Sequence, residues 1–207
     1  MLSIGLIGDG YWAQIVKKEI FNNKNFNLKS VFSRSNFNLD QNYNYKKYLN
    51  LDEMIRQERL DCYYVAANPK VNEIVYNLLK KNKTPVIFEK PLSYNSIQCD
   101  KIIQSAKNNH CIFTNLPNIY SESFSYLDTF FKKNSKNIER IHIIEGGMGP
   151  INKDIDPLMD WGIHPISLIL KLFNKDTLDI FKSKKIKYGR YHKVFKIIFL
   201  HNKTEIK

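Results

Sequence analysis

The stretch Leu2-Ser-Ile-Gly-Leu-Ile-Gly-Asp-Gly-Tyr-Trp-Ala13 decides the fold of the first half of this 207-residue chain. Leu2–Ile7 is a nearly continuous apolar run, which is typical of a parallel strand buried on both faces. Gly8 and Gly10 follow at once, and Tyr11–Ile20 has the pattern of a helix. This order of strand, glycine turn and helix predicts a turn whose free backbone N–H groups and helix dipole can hold a phosphate.

Strands and helices alternate with short connections up to about residue 115. The predicted strands are Leu2–Ile7, Leu28–Ser33, Asp61–Ala67, Pro85–Phe88 and Cys111–Thr114. The predicted helices are Tyr11–Ile20, Leu51–Arg59 (with Asn50 as its N-cap), Val71–Lys81 and Tyr94–Asn108. This rhythm predicts an α/β domain over residues 1–117, a doubly wound parallel sheet of the Rossmann type with crossover helices.

The pattern changes after Pro117. Two helices are predicted there, Glu122–Lys133 and Pro165–Phe173. The predicted strands are Ile138–Glu145, Leu178–Phe181, Val194–Leu200 and Thr204–Ile206. Strands that follow strands predict a smaller α+β domain with a mixed or antiparallel sheet over residues 118–207.

The glycine turn and the end of the second predicted strand indicate a cofactor. Ala13, in the third position of the glycine pattern, allows the close packing of helix on strand that this position needs, so the turn is predicted to bind a dinucleotide. Ser33 ends the second predicted strand and Arg34 follows it, at the point where an acidic residue would bind a ribose 2′-hydroxyl and an arginine can accommodate a 2′-phosphate. These residues favour NADP over NAD, with an exposed arginine on a turn as the alternative.

Glu89-Lys90-Pro91 follows the predicted strand Pro85–Phe88 directly. Ligands of open α/β sheets lie outside the carboxyl ends of the strands, so Lys90 is predicted to face the cofactor cleft. A lysine there can hold a substrate oxygen and stabilise a developing alkoxide. The alternative is a surface ion pair between Glu89 and Lys90, which would contribute little.

Asp160 and His164 are four residues apart, a spacing that would place both on one face of a helix. A carboxylate can orient an imidazole there, and a histidine so held can act as a general base. Pro165 disfavours helical geometry at His164, so the pair could instead straddle a helix start or a kink. A purely structural role is the alternative.

The net charge of +12 calls for an anionic partner to be considered. The lysines are spread along the chain, so we expect an anionic substrate such as a nucleotide sugar rather than nucleic acid.

No apolar run is long enough to cross a bilayer, and no signal peptide is recognisable, so no membrane association is expected. Cys62, Cys99 and Cys111 lack metal-ligand spacing, so buried, reduced cysteines in a cytoplasmic protein, and no metal site, are expected.

Four motifs in this order resemble the Gfo/Idh/MocA oxidoreductases, which include glucose–fructose oxidoreductase, inositol dehydrogenase and nucleotide-sugar dehydrogenases. They are Gly8-Asp9-Gly10-Tyr11-Trp12-Ala13, Val65-Ala66-Ala67-Asn68-Pro69, Glu89-Lys90-Pro91-Leu92-Ser93 and Asp160-Trp161-Gly162-Ile163-His164-Pro165. The resemblance extends from Ile4 to about Leu200. It implies an NAD(P)-dependent enzyme that acts on a hydroxyl or keto group of a sugar, nucleotide sugar or cyclitol.

The resemblance also implies roles for single residues. His164, or Lys90 as in some members, would take the hydroxyl proton while hydride passes to the nicotinamide, and Asp160 would steady the histidine. The expected cofactor-binding residues are Gly8, Gly10, Tyr11, Trp12, Ala13, Ser33, Arg34, Ala67, Asn68, Pro69, Glu89 and Lys90.

The chain departs from the family pattern in three places. Asn72 stands where a histidine is usual, and the segment Asn115–Tyr120 lacks the usual arginine. Family members also have a larger C-terminal sheet, so we expect a shortened second domain with an exposed sheet edge. That sheet commonly serves family members as a subunit interface, which makes a homo-oligomer possible here. An alternative function is therefore a non-catalytic relative that binds nucleotide as a binding or regulatory partner.

Overall fold

The computed structural model describes residues 1–34, 44–107, 110–138, 140–146, 155–175, 180–188, 192–201 and 204–206. The chain divides into two compact units, Met1–Asn115 and Leu116–Lys207. The boundary predicted from sequence, after residue 117, lies two residues further along the chain.

The first unit contains one six-stranded sheet in which every pairing is parallel. Its strands are β1 (Leu2–Ile7), β2 (Phe26–Phe32), β3 (Lys46–Tyr48), β4 (Cys62–Val65), β5 (Val86–Glu89) and β6 (Ile112–Asn115). Its helices are α1 (Tyr11–Asn22), α2 (Leu51–Gln57), α3 (Asn72–Leu79) and α4 (Ser96–Ala106), with short 3₁₀ turns at Pro69–Val71 and Lys80–Asn82. The predicted Rossmann-type parallel sheet is confirmed.

Two apolar clusters cover the two faces of this sheet. One joins α1 to β1 and β2, and the other joins α2, α3 and α4 to β4 and β5. Consecutive residues of β1 belong to different clusters, Leu6 to the first and Ile7 to the second, because successive side chains of a strand point to opposite faces. Both residues are fully buried, which explains the continuous apolar run in the sequence.

The strand order β3-β2-β1-β4-β5-β6 makes β1 the point at which the chain reverses direction across the sheet. The chain passes from β1 to β2 on one side and returns to place β4 on the other. The loops after β1 and β4 therefore diverge and leave a crevice at the carboxyl edge, where open α/β sheets bind their ligands.

The second unit contains a four-stranded sheet of order β7-β10-β9-β8. Its elements are α5 (Glu122–Asn134), β7 (Arg140–Ile141), α6 (Pro157–Asp160), α7 (Ile163–Phe173), β8 (Ile180–Tyr188), β9 (His192–His201) and β10 (Thr204–Ile206). β10 pairs parallel with β7 and antiparallel with β9, so the predicted mixed sheet is present. Phe131 of α5 packs edge-on against Phe173 of α7, with ring centroids 4.9 Å apart.

Several predicted elements are corrected. Among the described residues, the predicted strand Ile138–Glu145 is reduced to β7, whose two residues, Arg140 and Ile141, pair with β10. β8 extends to Tyr188, well past the predicted end at Phe181, and pairs with β9 along its length; the predicted start, Leu178, lies outside the described residues. Of the three cysteines expected to be buried, Cys111 is exposed and the other two are half-buried.

Candidate active site

The glycine turn after β1 is fixed by its two neighbouring strands. The Gly8 N–H donates to the carbonyl of Phe32 at 2.8 Å, and the Ala66 N–H donates to the carbonyl of Ile7 at 2.8 Å. Gly8 has φ +118°, and a Cβ at this position would lie 2.4 Å from the carbonyl oxygen of Ala66. Only glycine fits where the turn crosses the end of β4.

Gly10, unlike the crowded Gly8, has open space around its Cα in the described part of the chain. It is the N-cap of α1 and has no side chain with which to cap the helix, and a Cβ there would meet no atom of the described residues within 4 Å. The first turn of α1 contains no acidic residue. The space beside Gly10 at this helix start is therefore open among the described residues, which fits a pyrophosphate held by the N–H groups of a helix N-terminus.

The three residues after Gly10 form the start of α1. Tyr11 and Trp12 contribute backbone N–H groups to this first turn, and their side chains are largely exposed. Ala13 is fully buried against the sheet, as the third position of a dinucleotide pattern requires.

The other predicted cofactor residues of this unit lie at the same sheet edge. Ser33 follows β2, is buried, and donates its N–H to the carbonyl of Tyr48, whereas Arg34 is exposed beside it. Beyond β4, Ala67 is half-buried, and Asn68 caps the 3₁₀ turn that begins at Pro69 by accepting the Lys70 N–H at 3.0 Å.

Glu89, the last residue of β5, is held by two side chains that the sequence analysis did not identify. The Tyr64 hydroxyl of β4 donates to the Glu89 carboxylate, and the Asn115 amide of β6 donates to the same oxygen at 2.9 Å. The Asn115 amide also contacts the Tyr64 hydroxyl at 2.8 Å. Burial and the Glu89 carboxylate raise the pKa of Tyr64 well above its usual range, so it stays a proton donor. The sequence indicated this contact only through position, since Tyr64, Glu89 and Asn115 lie near the ends of the adjacent strands β4, β5 and β6.

Lys90 is half-buried and begins a loop that is held by side-chain hydrogen bonds. The Asn72 amide at the start of α3 donates to the carbonyl of Leu92 at 3.0 Å, and Asn72 is almost fully buried. The Ser93 hydroxyl contacts Gln98 at 2.7 Å and accepts the Asn95 N–H at 3.2 Å. A loop restrained at two points gives Lys90 a defined position, which electrostatic stabilisation of a reacting group requires.

In the second unit, Asp160 and His164 do not share a continuous helix. Asp160 is the last residue of α6 and His164 the second residue of α7, with a turn at residues 161–162 between them. A Cβ on Gly162 would lie 2.6 Å from the carbonyl oxygen of Leu158, so glycine is needed where the two helices meet. The pair therefore straddles a helix start, the alternative that Pro165 indicated. Both residues are half-buried.

The described residues contain no group of three histidine, cysteine or acidic side chains placed to hold a metal ion. Among the helices of the described part of the chain, none is long and apolar enough to cross a membrane.

Comparisons with known proteins agree with the fold described above. No curated protein matches the chain significantly. Among solved structures, GenD2 from gentamicin A biosynthesis, in complex with NAD, is similar with a TM-score of 0.84 at 13% identity, covering 99% of this chain and 64% of that one. The scyllo-inositol dehydrogenase from Lactobacillus casei, with NAD(H) and scyllo-inositol, gives a TM-score of 0.82 at 14% identity and covers 100% and 68%. YvaA from Bacillus subtilis gives 0.85 at 12% identity and covers 100% and 62%.

These low identities establish the fold alone, and the chain spans 62% to 68% of the length of these three proteins. The family itself is established by sequence. The model of the family described as "Oxidoreductase family, NAD-binding Rossmann fold" (GFO_IDH_MocA) matches residues 2–116, more than half of the chain. The chain belongs to the Gfo/Idh/MocA oxidoreductase family.

Proposed function

We propose that this protein is an NAD(P)-dependent oxidoreductase that acts on a secondary hydroxyl or keto group of a sugar, nucleotide sugar or cyclitol. The observation that supports dinucleotide binding is the glycine turn. Backbone hydrogen bonds fix the turn to the ends of β2 and β4, and the helix start at Gly10 is open. The substrate class is supported by the family and by the polyol bound to one structural neighbour. The net charge of +12 favours an anionic member of that class, such as a nucleotide sugar.

The nicotinamide cofactor supplies hydride chemistry when it is bound. The residues of this chain position the reactants, stabilise the negative charge that develops on the substrate oxygen and accept its proton. Lys90, on its restrained loop, holds the substrate oxygen through its ammonium group and stabilises negative charge that develops there. His164, oriented by Asp160, accepts the hydroxyl proton on a ring nitrogen; in the alternative, Lys90 accepts that proton in its uncharged amine form. Glu89, held by Tyr64 and Asn115, fixes the end of β5 beside Lys90.

The direct test is titration of the wild-type protein with NADH and NADPH, followed by fluorescence and by the melting temperature. A ligand that binds only the folded state raises the melting temperature, by an amount that corresponds to about 2.7 kcal/mol at 100 times Kd. Turnover is then measured with a panel of sugars, cyclitols and nucleotide sugars. Absence of binding would refute the proposal. Binding without turnover on any member of the panel would favour the alternative function, a nucleotide-binding partner without catalysis.

Arg34 is expected to set the preference between the two dinucleotides. Because Arg34 is exposed two residues after the end of β2, Arg34→Asp replaces a cation by an anion where a 2′-phosphate would lie. NADPH affinity should fall relative to NADH affinity on the order of ten-fold. The measurement is the ratio of the two dissociation constants. Arg59→Asp makes the same charge change at an exposed residue before β4, at the opposite edge of the sheet, and should leave the ratio unchanged. An unchanged ratio in Arg34→Asp would rule out this role.

A further inference from the structure

Lys17 occupies a position in α1 that would ordinarily hold an apolar residue. Ala13, Lys17 and Ile20 form the buried stripe of this helix, and the Lys17 side chain is only 2% exposed. Burying an ammonium group is costly unless it is paired, and lysine is almost never fully buried otherwise. A methionine or leucine at this position would pack against the apolar cluster of α1, β1 and β2 without the cost of burying a charge. The role of Lys17 is therefore to be found in the contacts of its ammonium group.

The partner of Lys17 lies inside the glycine turn. The Lys17 ammonium contacts the Asp9 carboxylate at 2.5 Å, and the Gln14 amide donates to the same oxygen at 2.8 Å. Asp9 stands between Gly8 and Gly10, and its side chain is 8% exposed. Two residues of α1, Gln14 and Lys17, therefore hold this carboxylate against the helix.

Tyr45, which precedes β3, also contacts the ammonium group. The Lys17 Nζ lies 3.5 Å from the Tyr45 hydroxyl and 5.5 Å from the centre of the ring. The cation thus connects the glycine turn, α1 and the segment before β3. A cation over an aromatic face is stabilised by the ring electrons.

The negative charge of Asp9 in the glycine turn would weaken binding of the negatively charged dinucleotide. A pyrophosphate is drawn to the start of α1 by backbone N–H groups and the helix dipole, and a nearby unpaired carboxylate would repel it. We infer that Lys17 is a positioning residue for the dinucleotide, which neutralises Asp9 and holds its carboxylate away from the pyrophosphate. This inference rests on the proposed function.

The test compares NADH dissociation constants among four variants, with the melting temperature as a check on folding. Lys17→Met keeps the aliphatic length and leaves Asp9 unpaired, so NADH affinity should fall on the order of ten-fold. Asp9→Asn/Lys17→Met removes both charges and should restore affinity to near the wild-type value. Lys17→Arg keeps the cation and should retain most of the affinity. Lys18→Met removes the same charge from the next, exposed residue and serves as the control.

A loss of affinity in Lys17→Met should also appear with ADP-ribose, which carries the pyrophosphate without the nicotinamide. A double variant as weak as Lys17→Met would show that the pair has only a structural role and would overturn the inference, as would wild-type affinity in Lys17→Met. If Lys17→Met does not fold, Lys17→Arg and the double variant decide, since both must bind NADH nearly as the wild type does. Failure of the wild type to bind any dinucleotide would refute the proposed function, and this inference with it.

Discussion

Gly8→Ala is expected to abolish dinucleotide binding and to lower the melting temperature by roughly 10 °C. The new Cβ would lie 2.4 Å from the carbonyl oxygen of Ala66, and alanine strongly disfavours the φ of +118° found here. Strain of this kind costs about 3 kcal/mol, and its relief moves the turn away from β4. NADH affinity should fall by more than about a hundred-fold, because the N–H groups of the turn no longer converge. The two measurements are NADH titration and thermal unfolding.

Gly10→Ala is the matched control. Its Cβ would meet no described atom within 4 Å, and its φ of −78° suits alanine, so the melting temperature should change little. The added methyl group occupies the space above the start of α1, so NADH affinity should still fall. Undiminished affinity in Gly10→Ala would place the pyrophosphate elsewhere, and an unchanged melting temperature in Gly8→Ala would contradict the geometry of the turn.

Lys90→Met is expected to reduce turnover by about 10² to 10³-fold while NADH binding survives. Methionine keeps the length of the side chain and removes the cation that holds the substrate oxygen. The Leu92 and Ser93 segment should keep its conformation, since the Asn72 amide donates to the Leu92 carbonyl and the Ser93 hydroxyl donates to Gln98. The measurement is kcat and KM with the best substrate of the panel, together with the NADH dissociation constant.

Lys81→Met serves as the control, because Lys81 is exposed in the turn before β5, at the opposite edge of the sheet. It should leave kcat, KM and the NADH dissociation constant unchanged. His164→Ala should also reduce turnover by orders of magnitude without loss of cofactor binding, as expected for removal of a general base. Full turnover in both Lys90→Met and His164→Ala would show that neither residue takes part in the reaction.

The first unit was predictable because β1, in the interior of its sheet, is buried on both faces from Ile4 to Ile7. Continuous apolar runs such as Leu2–Ile7 leave a strong signal, and the glycine turn marks where one of them meets a helix. β3 was missed since it is a three-residue edge strand with two exposed lysines. Most of β8 was missed for a related reason, because four of its nine residues are lysines, two of them adjacent, and the strand shows no regular alternation of apolar and polar residues.

The candidate site was predictable only where its residues lie in sequence motifs. Glu89 and Lys90 form such a motif, whereas Tyr64 and Asn115 reach Glu89 from adjacent strands. Their contacts depend on the register of β4, β5 and β6, which a single sequence does not reveal. Lys17 was hidden differently, since a lysine in a helix ordinarily indicates a solvated face. Its place between Ala13 and Ile20 on the buried stripe was the available signal.

Asn72 has a consequence for the protonation behaviour of this protein. The resemblance leads one to expect a histidine at this position, and an imidazole changes charge between about pH 5 and 8. The carboxamide of Asn72 has no proton to gain or lose in that range, so its hydrogen bond to the Leu92 carbonyl is the same throughout. The loop that begins at Lys90 thus keeps this support in mildly acidic and mildly alkaline solution alike.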